Sequence, residues 1–225
     1  MYLPAHFEET RAETLHALLR AHPLGLLVTR SPGPAAAAPA PDELQANSLP
    51  FLFEAATSGT GLGVLRAHVA RANPLWREAR REVESLVVFQ GPQTYVSPSF
   101  YASKALHGKV VPTWNYITVQ ARGRLRVVDD AAWVRAFVTR LTERHETPRA
   151  APWAVDDAPA DFIDTLVGGI VGIEIELSAL VGKWKVSQNR SGADRAGVVQ
   201  GLRAAGLSGA DADLLGIGPT PGLRD

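Results

Sequence analysis

The sequence predicts a mainly β protein, an antiparallel barrel with helices at its periphery. Three observations carry this expectation. Some six or seven short segments are either apolar throughout or alternate apolar with polar residues, as strands do. They are not regularly interleaved with helical segments, as the βαβ units of a doubly wound sheet would be. The chain of 225 residues is 46% hydrophobic and 20% charged, which suffices to bury a real core. Residues 1–207 read as one domain and residues 208–225, rich in Gly and Pro, as a mobile C-terminal tail.

In chain order, Thr10 and Glu13 have capping-box spacing, and Leu15, Leu18 and Leu19 recur at helical intervals until His22-Pro23. Leu24 to Arg30 reads as a buried strand, and the Ala/Pro/Gly stretch from Ser31 to Pro41 as a surface loop. Leu44 to Phe53 and Val64 to Val69 read as strands around the turn cluster Thr57 to Gly61. Asn73-Pro74 opens a short helix carrying Trp76, Arg77, Arg80 and Arg81. Ser85 to Gln90 is a strand, Gly91-Pro92 a turn, and Thr94 to Val96 a brief extended piece; Ser99 to Lys109 reads as irregular. Thr113 to Ala121 and Arg124 to Val128 alternate around Arg122-Gly123, as two paired strands would. Asp130 caps a helix with Trp133, Val134, Phe137, Val138 and Leu141 on one face, and a further helix spans Ala160 to Leu166. Ile170 to Leu177 alternates most clearly of all, GKWKVSQNR follows as an irregular connection, and Asp194 to Ala205 is the last helix.

Composition narrows the function. Lys plus Arg and Asp plus Glu are both 23, so no net field draws the chain to nucleic acid or anionic lipid, and an anion site must be local. With no cysteine there is no disulfide, thiolate metal site or thiol nucleophile, in keeping with a cytoplasmic protein. The first residues lack the pattern of an export signal, and no apolar run approaches membrane-spanning length. The six histidines show no H-x-H or H-E-x-x-H spacing, so no metal site is expected. Gly59 to Gly63 fits neither a P-loop nor a dinucleotide fingerprint, and no G-x-S-x-G elbow occurs.

Four stretches hold more polar, aromatic and basic residues than secondary structure requires. They are AHVARANPLW (Ala67 to Trp76), FQGPQTYVSPSFY (Phe89 to Tyr101), HGKVVPTWNY (His107 to Tyr116) and GKWKVSQNR (Gly182 to Arg190). Together with the opening MYLPAHF, they resemble the PaiB family of FMN-binding negative transcriptional regulators, from Met1 to about Leu202. The Ala/Pro loop after Arg30 and the C-terminal tail depart from that family. The resemblance implies a split β-barrel of the FMN-binding type, a homodimer, and flavin between subunits.

FMN needs cations or helix N-terminal amides for its phosphate, small polar groups for ribityl, and amide or backbone partners for the pyrimidine edge. Arg71, just past a strand and before a helix, is the first candidate for the phosphate, with Ala70 and Asn73 beside it. Its plain alternative is a solvated residue among Arg77, Arg80, Arg81 and the neighbouring glutamates. His68, on the same strand end, is a flavin or substrate candidate, or otherwise a satisfied histidine. Lys109, Val111, Pro112, Thr113 and Asn115 form a segment whose backbone could meet the ring edge, and Trp114 could cover a flavin face or fill core. Lys185, Gln188 and Asn189 lie in the GKWKVSQNR connection, with Gln188 suited to the pyrimidine edge. Thr29 and Ser48, near strand ends, are weaker candidates for ribityl or phosphate.

An FMN-dependent oxidoreductase would need the same residues, so sequence leaves it open as the alternative. A heme-binding split barrel with His68 or His107 as ligand is a second alternative. Direct reading of DNA is not expected, because there is no helix-turn-helix pattern and the densest cations, Arg66, Arg71, Arg77, Arg80 and Arg81, are interleaved with Glu78, Glu82 and Glu84.

Overall fold

A computed structural model describes residues 1–33, 42–56 and 61–217. The Thr57 to Thr60 part of the expected turn, and most of the Ala/Pro loop, lie outside these residues. Among the described residues eight strands form the sheet: β1 (Glu8–Glu9), β2 (Leu24–Pro32), β3 (Asp42–Pro50), β4 (Leu52–Glu54), β5 (Val64–Ala70), β6 (Glu84–Val96), β7 (Thr113–Val128) and β8 (Ile170–Lys185). Their order is β3-β2-β6-β7-β8-β5-β4, with β1 on β8. Every pair of described register is antiparallel. The helices are α1 (Ala12–Ala21), α2 (Leu75–Glu78), α3 (Ser103–His107), α4 (Ala131–Glu146), α5 (Ala160–Gly168), α6 (Gly192–Ala204) and α7 (Gly209–Ile217).

The chain divides into two compact units. One comprises Met1–Leu18, Gln90–Val119 and Val181–Asp225; the other comprises Leu19–Phe89 and Gln120–Leu180. In the first, β1 lies against β8 with Glu9 opposite Gly182, and α6 and α7 cover one side with Val198, Leu202, Ala212 and Leu215 buried. In the second, β5 pairs with the start of β8 from Val64↔Glu176 to Ala70↔Ile170, and β2 bridges β3 and β6. The inner faces of β2, β5 and β6 put Leu27, Leu65, Ala67, Val87 and Phe89 out of water, as period-two alternation requires.

Asp130 caps α4 as its sequence suggests, accepting the Trp133 amide at 2.7 Å. Several boundaries differ from the sequence reading, each for a packing reason. Gly91-Pro92 and Arg122-Gly123 are not turns, because β6 and β7 run straight through them. A Cβ at Gly91 would stand 2.8 Å from Leu18 Cδ1, so that glycine admits a core leucine. At Gly123 a Cβ would fall 2.0 Å from the Glu176 carbonyl oxygen, so this one admits the neighbouring backbone.

GKWK is strand rather than connection, since β8 extends to Lys185, and Gly182 makes room for Leu15. The expected strand Leu44 to Phe53 is two strands, broken where the Phe51 amide turns aside to the Pro23 carbonyl and its ring packs on Phe89. At the N-terminus the first helix starts after Arg11, not Thr10; the Glu9 carboxylate holds both the Arg11 amide and its guanidinium. The short α2 stops at Glu78, leaving Arg80 and Arg81 beyond it, with the Arg80 amide on the Arg30 carbonyl. The stretch read as irregular contains α3, closed by Gly108 at φ 67°. Residues from Ser208 begin with α7, where the Ser208 hydroxyl accepts the Asp211 amide as an N-cap.

Candidate functional site

The candidate residues fall into two groups, one in each unit. Six belong to the unit containing β2, β3 and β5. Arg71 follows β5, and its guanidinium grips Asp129 through both terminal nitrogens, at 2.6 and 3.0 Å, while Nε donates to the Gly168 carbonyl at 2.8 Å. This fork raises the Arg71 pKa and lowers that of Asp129, chiefly through the hydrogen bonds themselves. Arg71 is thus committed to joining the ends of three segments, and its charge is already matched. Ala70 is exposed at the strand end, and its carbonyl accepts the Asn73 amide. Asn73 caps α2 through the Leu75 amide and donates to Asn47 Oδ1 at 3.0 Å. Thr29 is buried on the inner face of β2, and its hydroxyl has no hydrogen-bond partner among the described residues. Ser48 is exposed on the opposite, outer face, across from Leu26. His68 lies half-buried on the outer face of β5, edge-on to Phe137, and burial lowers its pKa.

The other nine belong to the unit containing α3, α6 and α7. Lys185, the last residue of β8, donates Nζ to Thr113 Oγ1 at 2.6 Å and to the Trp114 carbonyl. Burial lowers its pKa, and the like charges of Lys183 and Arg190 lower it further. Among the described residues none of these three cations has a carboxylate within 4 Å. Lys183 donates to the Tyr2 carbonyl and lies over the Tyr116 ring, and Arg190 lies over Tyr101. Beside them Trp114 is 55% and Tyr95 47% exposed, in an edge-to-face pair at 6.0 Å. Arg190 also adds to the lowering of the Asp194 pKa, which the Ser103 hydrogen bonds mainly cause, so among the described residues the two lysines are the cations of the three without a carboxylate partner. Exposed aromatic surface next to such cations is what a flat ring bearing a phosphate requires. The donor set therefore fits FMN here.

Other members of this group have structural duties. Asn115 is buried and donates to Ser187 Oγ and to the Leu215 carbonyl, tying α7 down. Gln188 accepts the Val186 amide and donates to the Trp184 carbonyl, so its amide closes the end of β8. Ser187 between them sits at φ 67°, a left-handed conformation rare for a residue with a side chain. Lys109, Val111, Pro112 and Asn189 are exposed, and the Lys109 amide donates to His107 Nδ1. The sequence reading missed Lys183, Arg190 and Tyr95. The signal was there: in a strand, Lys183 and Lys185 share one face, but only once GKWK is read as strand. Among the described residues no group of three or more His, Asp or Glu could hold a metal ion.

Residues 1–179 match the model of a family described as "Putative FMN-binding domain". The chain belongs to this FMN-binding family. A protein of Emericella nidulans, named only as uncharacterised, is 35% identical over 92% of both chains. The Bacillus subtilis protein "Protease synthase and sporulation protein PAI 2" is 29% identical over 90% of this chain and 89% of its own. Among solved structures, the conserved hypothetical protein Rv2991 of Mycobacterium tuberculosis superimposes with a TM-score of 0.53 at 12% identity, covering 85% of this chain and 94% of that one, a likeness of fold alone. The fold of this FMN-binding family member is the antiparallel split β-barrel with peripheral helices, and it is of the PaiB type. Its cofactor is FMN. Lys185, Gln188 and Asn189 lie beyond the segment that the family model matches.

Proposed function

We propose that the protein is a cytoplasmic, homodimeric FMN-binding regulator, and that the phosphate of FMN is met by Lys185 with Thr113, beside Trp114. The observation that carries the site is the approach of Lys183 and Arg190 to Lys185, which among the described residues has no carboxylate within 4 Å, the nearby Arg190 also acting on Asp194. A phosphate dianion there would offset the burial and the like charges that together lower the Lys185 pKa. Bound FMN would supply reversible hydride or electron chemistry, and the protein's part is to hold phosphate and ring. Titration of FMN should quench flavin fluorescence; no quenching at high micromolar concentration would count against the reading.

The support for a homodimer comes from the outer face of β3, β2 and β6. Cross-strand register puts Leu24, Leu26, Val28, Leu44, Leu86 and Val88 on this side of the sheet. Leu24 is 65%, Leu26 40% and Leu44 74% exposed, a large apolar area for a free surface. A second copy presenting the same patch would cover it by two-fold pairing. Sedimentation should give twice the chain mass of 24.1 kDa, and Leu26→Lys should shift the particle to the single-chain mass. A wild-type monomer at micromolar concentration would contradict the dimer.

The proposed action on transcription is indirect, through flavin state, a metabolite or a protein partner. The arginines that could have formed a basic face are spoken for: Arg66 pairs with Glu54 and Glu174, Arg71 with Asp129, and Arg80 with Asp42. Arg77 lies over the Trp76 ring, and Arg81 donates to the Trp76 carbonyl. Mobility shifts of promoter and scrambled duplexes should therefore agree, at dissociation constants no tighter than about 10⁻⁶ M at physiological salt. A nanomolar shift confined to one sequence would overturn this. No helix among the described residues is long and apolar enough to cross a membrane.

A further inference from the structure

The outer face of β5 holds a second feature, independent of the flavin phosphate site. His68 stands opposite Gly172 of β8, where the absent side chain makes room for Trp133: a Cβ there would lie 2.3 Å from Trp133 Cζ3. Trp133 stacks on Phe137 at 5.3 Å, and Phe137 meets the imidazole edge-on at 5.8 Å. These rings hold His68 at the wall of a cavity of about 310 Å³ formed with α4, α5 and the turn around Val155. Apart from His68 and Thr142 the lining is apolar, with no charged side chain. Trp153 and Leu166, 46% and 52% exposed, stand at its margin, where a ligand could enter from solvent.

The imidazole is the odd group in this wall. Among the described residues its Nδ1 is buried without a hydrogen-bond partner, and burial lowers its pKa, which favours the uncharged ring. A buried polar group without a partner costs free energy, and a ligand that brings one removes that cost. The apolar remainder favours a ring or short hydrocarbon, and the lack of any countercharge disfavours an ionised ligand. We propose that this cavity binds a small, neutral, largely apolar molecule of about one aromatic ring, carrying one hydroxyl that hydrogen-bonds to His68. FMN itself does not suit it, because the lining offers no cation for a phosphate.

The probes are p-cresol, toluene and 4-methylbenzoate, titrated by calorimetry into the full chain loaded with FMN. p-Cresol should bind about tenfold more tightly than toluene, the value of one well-placed hydrogen bond. It should also bind at least about tenfold more tightly than 4-methylbenzoate, whose charge would be buried unpaired. His68→Phe, which keeps a ring and removes the nitrogens, should bring p-cresol to toluene's affinity. Val138→Phe should close the cavity and abolish binding of both. Should either variant fail to fold, the imidazole proton resonances of the six histidines in the wild-type chain serve instead, with one set shifting on p-cresol and not on 4-methylbenzoate. No p-cresol binding at about 5 mM, roughly the weakest affinity that such a site would show, would overturn the proposal. So would equal affinity for p-cresol and toluene, or release of FMN by p-cresol, which would make the cavity part of the flavin site.

Discussion

Replacing Gly123 by alanine is expected to destabilise the protein by about 3 kcal/mol, the upper range for forcing extra volume into a packed site. The added Cβ would stand 2.0 Å from the Glu176 carbonyl oxygen and 2.8 Å from Ile175 Cγ2. The obstacle is largely main chain of β8, and main chain cannot turn aside as a flexible side chain can. Either β7 and β8 separate locally, losing ladder hydrogen bonds, or the strain remains. Urea unfolding measures the cost as a fall in midpoint at unchanged slope. Gly168→Ala is the matched control: among the described residues nothing beyond its own helix and chain neighbours lies within 4 Å of its Cβ position, and it sits in α5. That change should be neutral or stabilising by about 0.5 kcal/mol, since alanine loses less backbone entropy in a helix. Equal stability of the Gly123→Ala protein and wild type would show that the two strands do not approach as closely as described.

Lys185→Met is expected to weaken FMN by about 1.5 to 3 kcal/mol, or roughly 10- to 150-fold, the scale of a charge-assisted hydrogen bond. Methionine keeps most of the stem's packing and removes the charge, together with the bonds to Thr113 Oγ1 and the Trp114 carbonyl. Riboflavin separates the two roles, for it has the ring and ribityl chain without the phosphate. Its affinity should change by less than about threefold in the variant if Lys185 serves the phosphate. Arg71→Ala is the contrasting variant. Its guanidinium is held by Asp129 and Gly168, so its loss should lower stability while leaving FMN affinity nearly unchanged. If Arg71→Ala weakens FMN and Lys185→Met does not, the phosphate belongs at the end of β5.

The contrast between Arg71 and Lys185 shows what sequence could not supply. Both are cations at strand ends in motif stretches, and by residue type Arg71 is the better phosphate ligand. What separates them is the neighbourhood: Asp129, 58 positions along the chain, reaches Arg71, whereas Lys185 is approached by Lys183 and Arg190. Ion pairing between residues so distant leaves no local pattern to read. The same holds for Gln188, chosen as a ring partner for its amide, and for Asn115, chosen with the backbone of its segment: the fold uses their side chains to close the end of β8 and to secure α7.

By itself the sequence determined what local periodicity and chain chemistry control. The mainly antiparallel β class, the capped helix from Asp130, the alternation of Ile170 to Leu177 and the four motif stretches that mark the FMN-binding family were all legible there. Tertiary structure decided the meaning of the glycines. Gly91 and Gly123 look like turns and Gly182 like the start of a connection, since glycine is permissive of turns, yet each lies within a long strand because a leucine or a carbonyl needs the space of its missing side chain. Tertiary structure likewise decided which charges are matched and that His68 faces an apolar cavity without a partner. Each of these depends on segments brought together across the sheet, so the controlling contact lies far away in the chain.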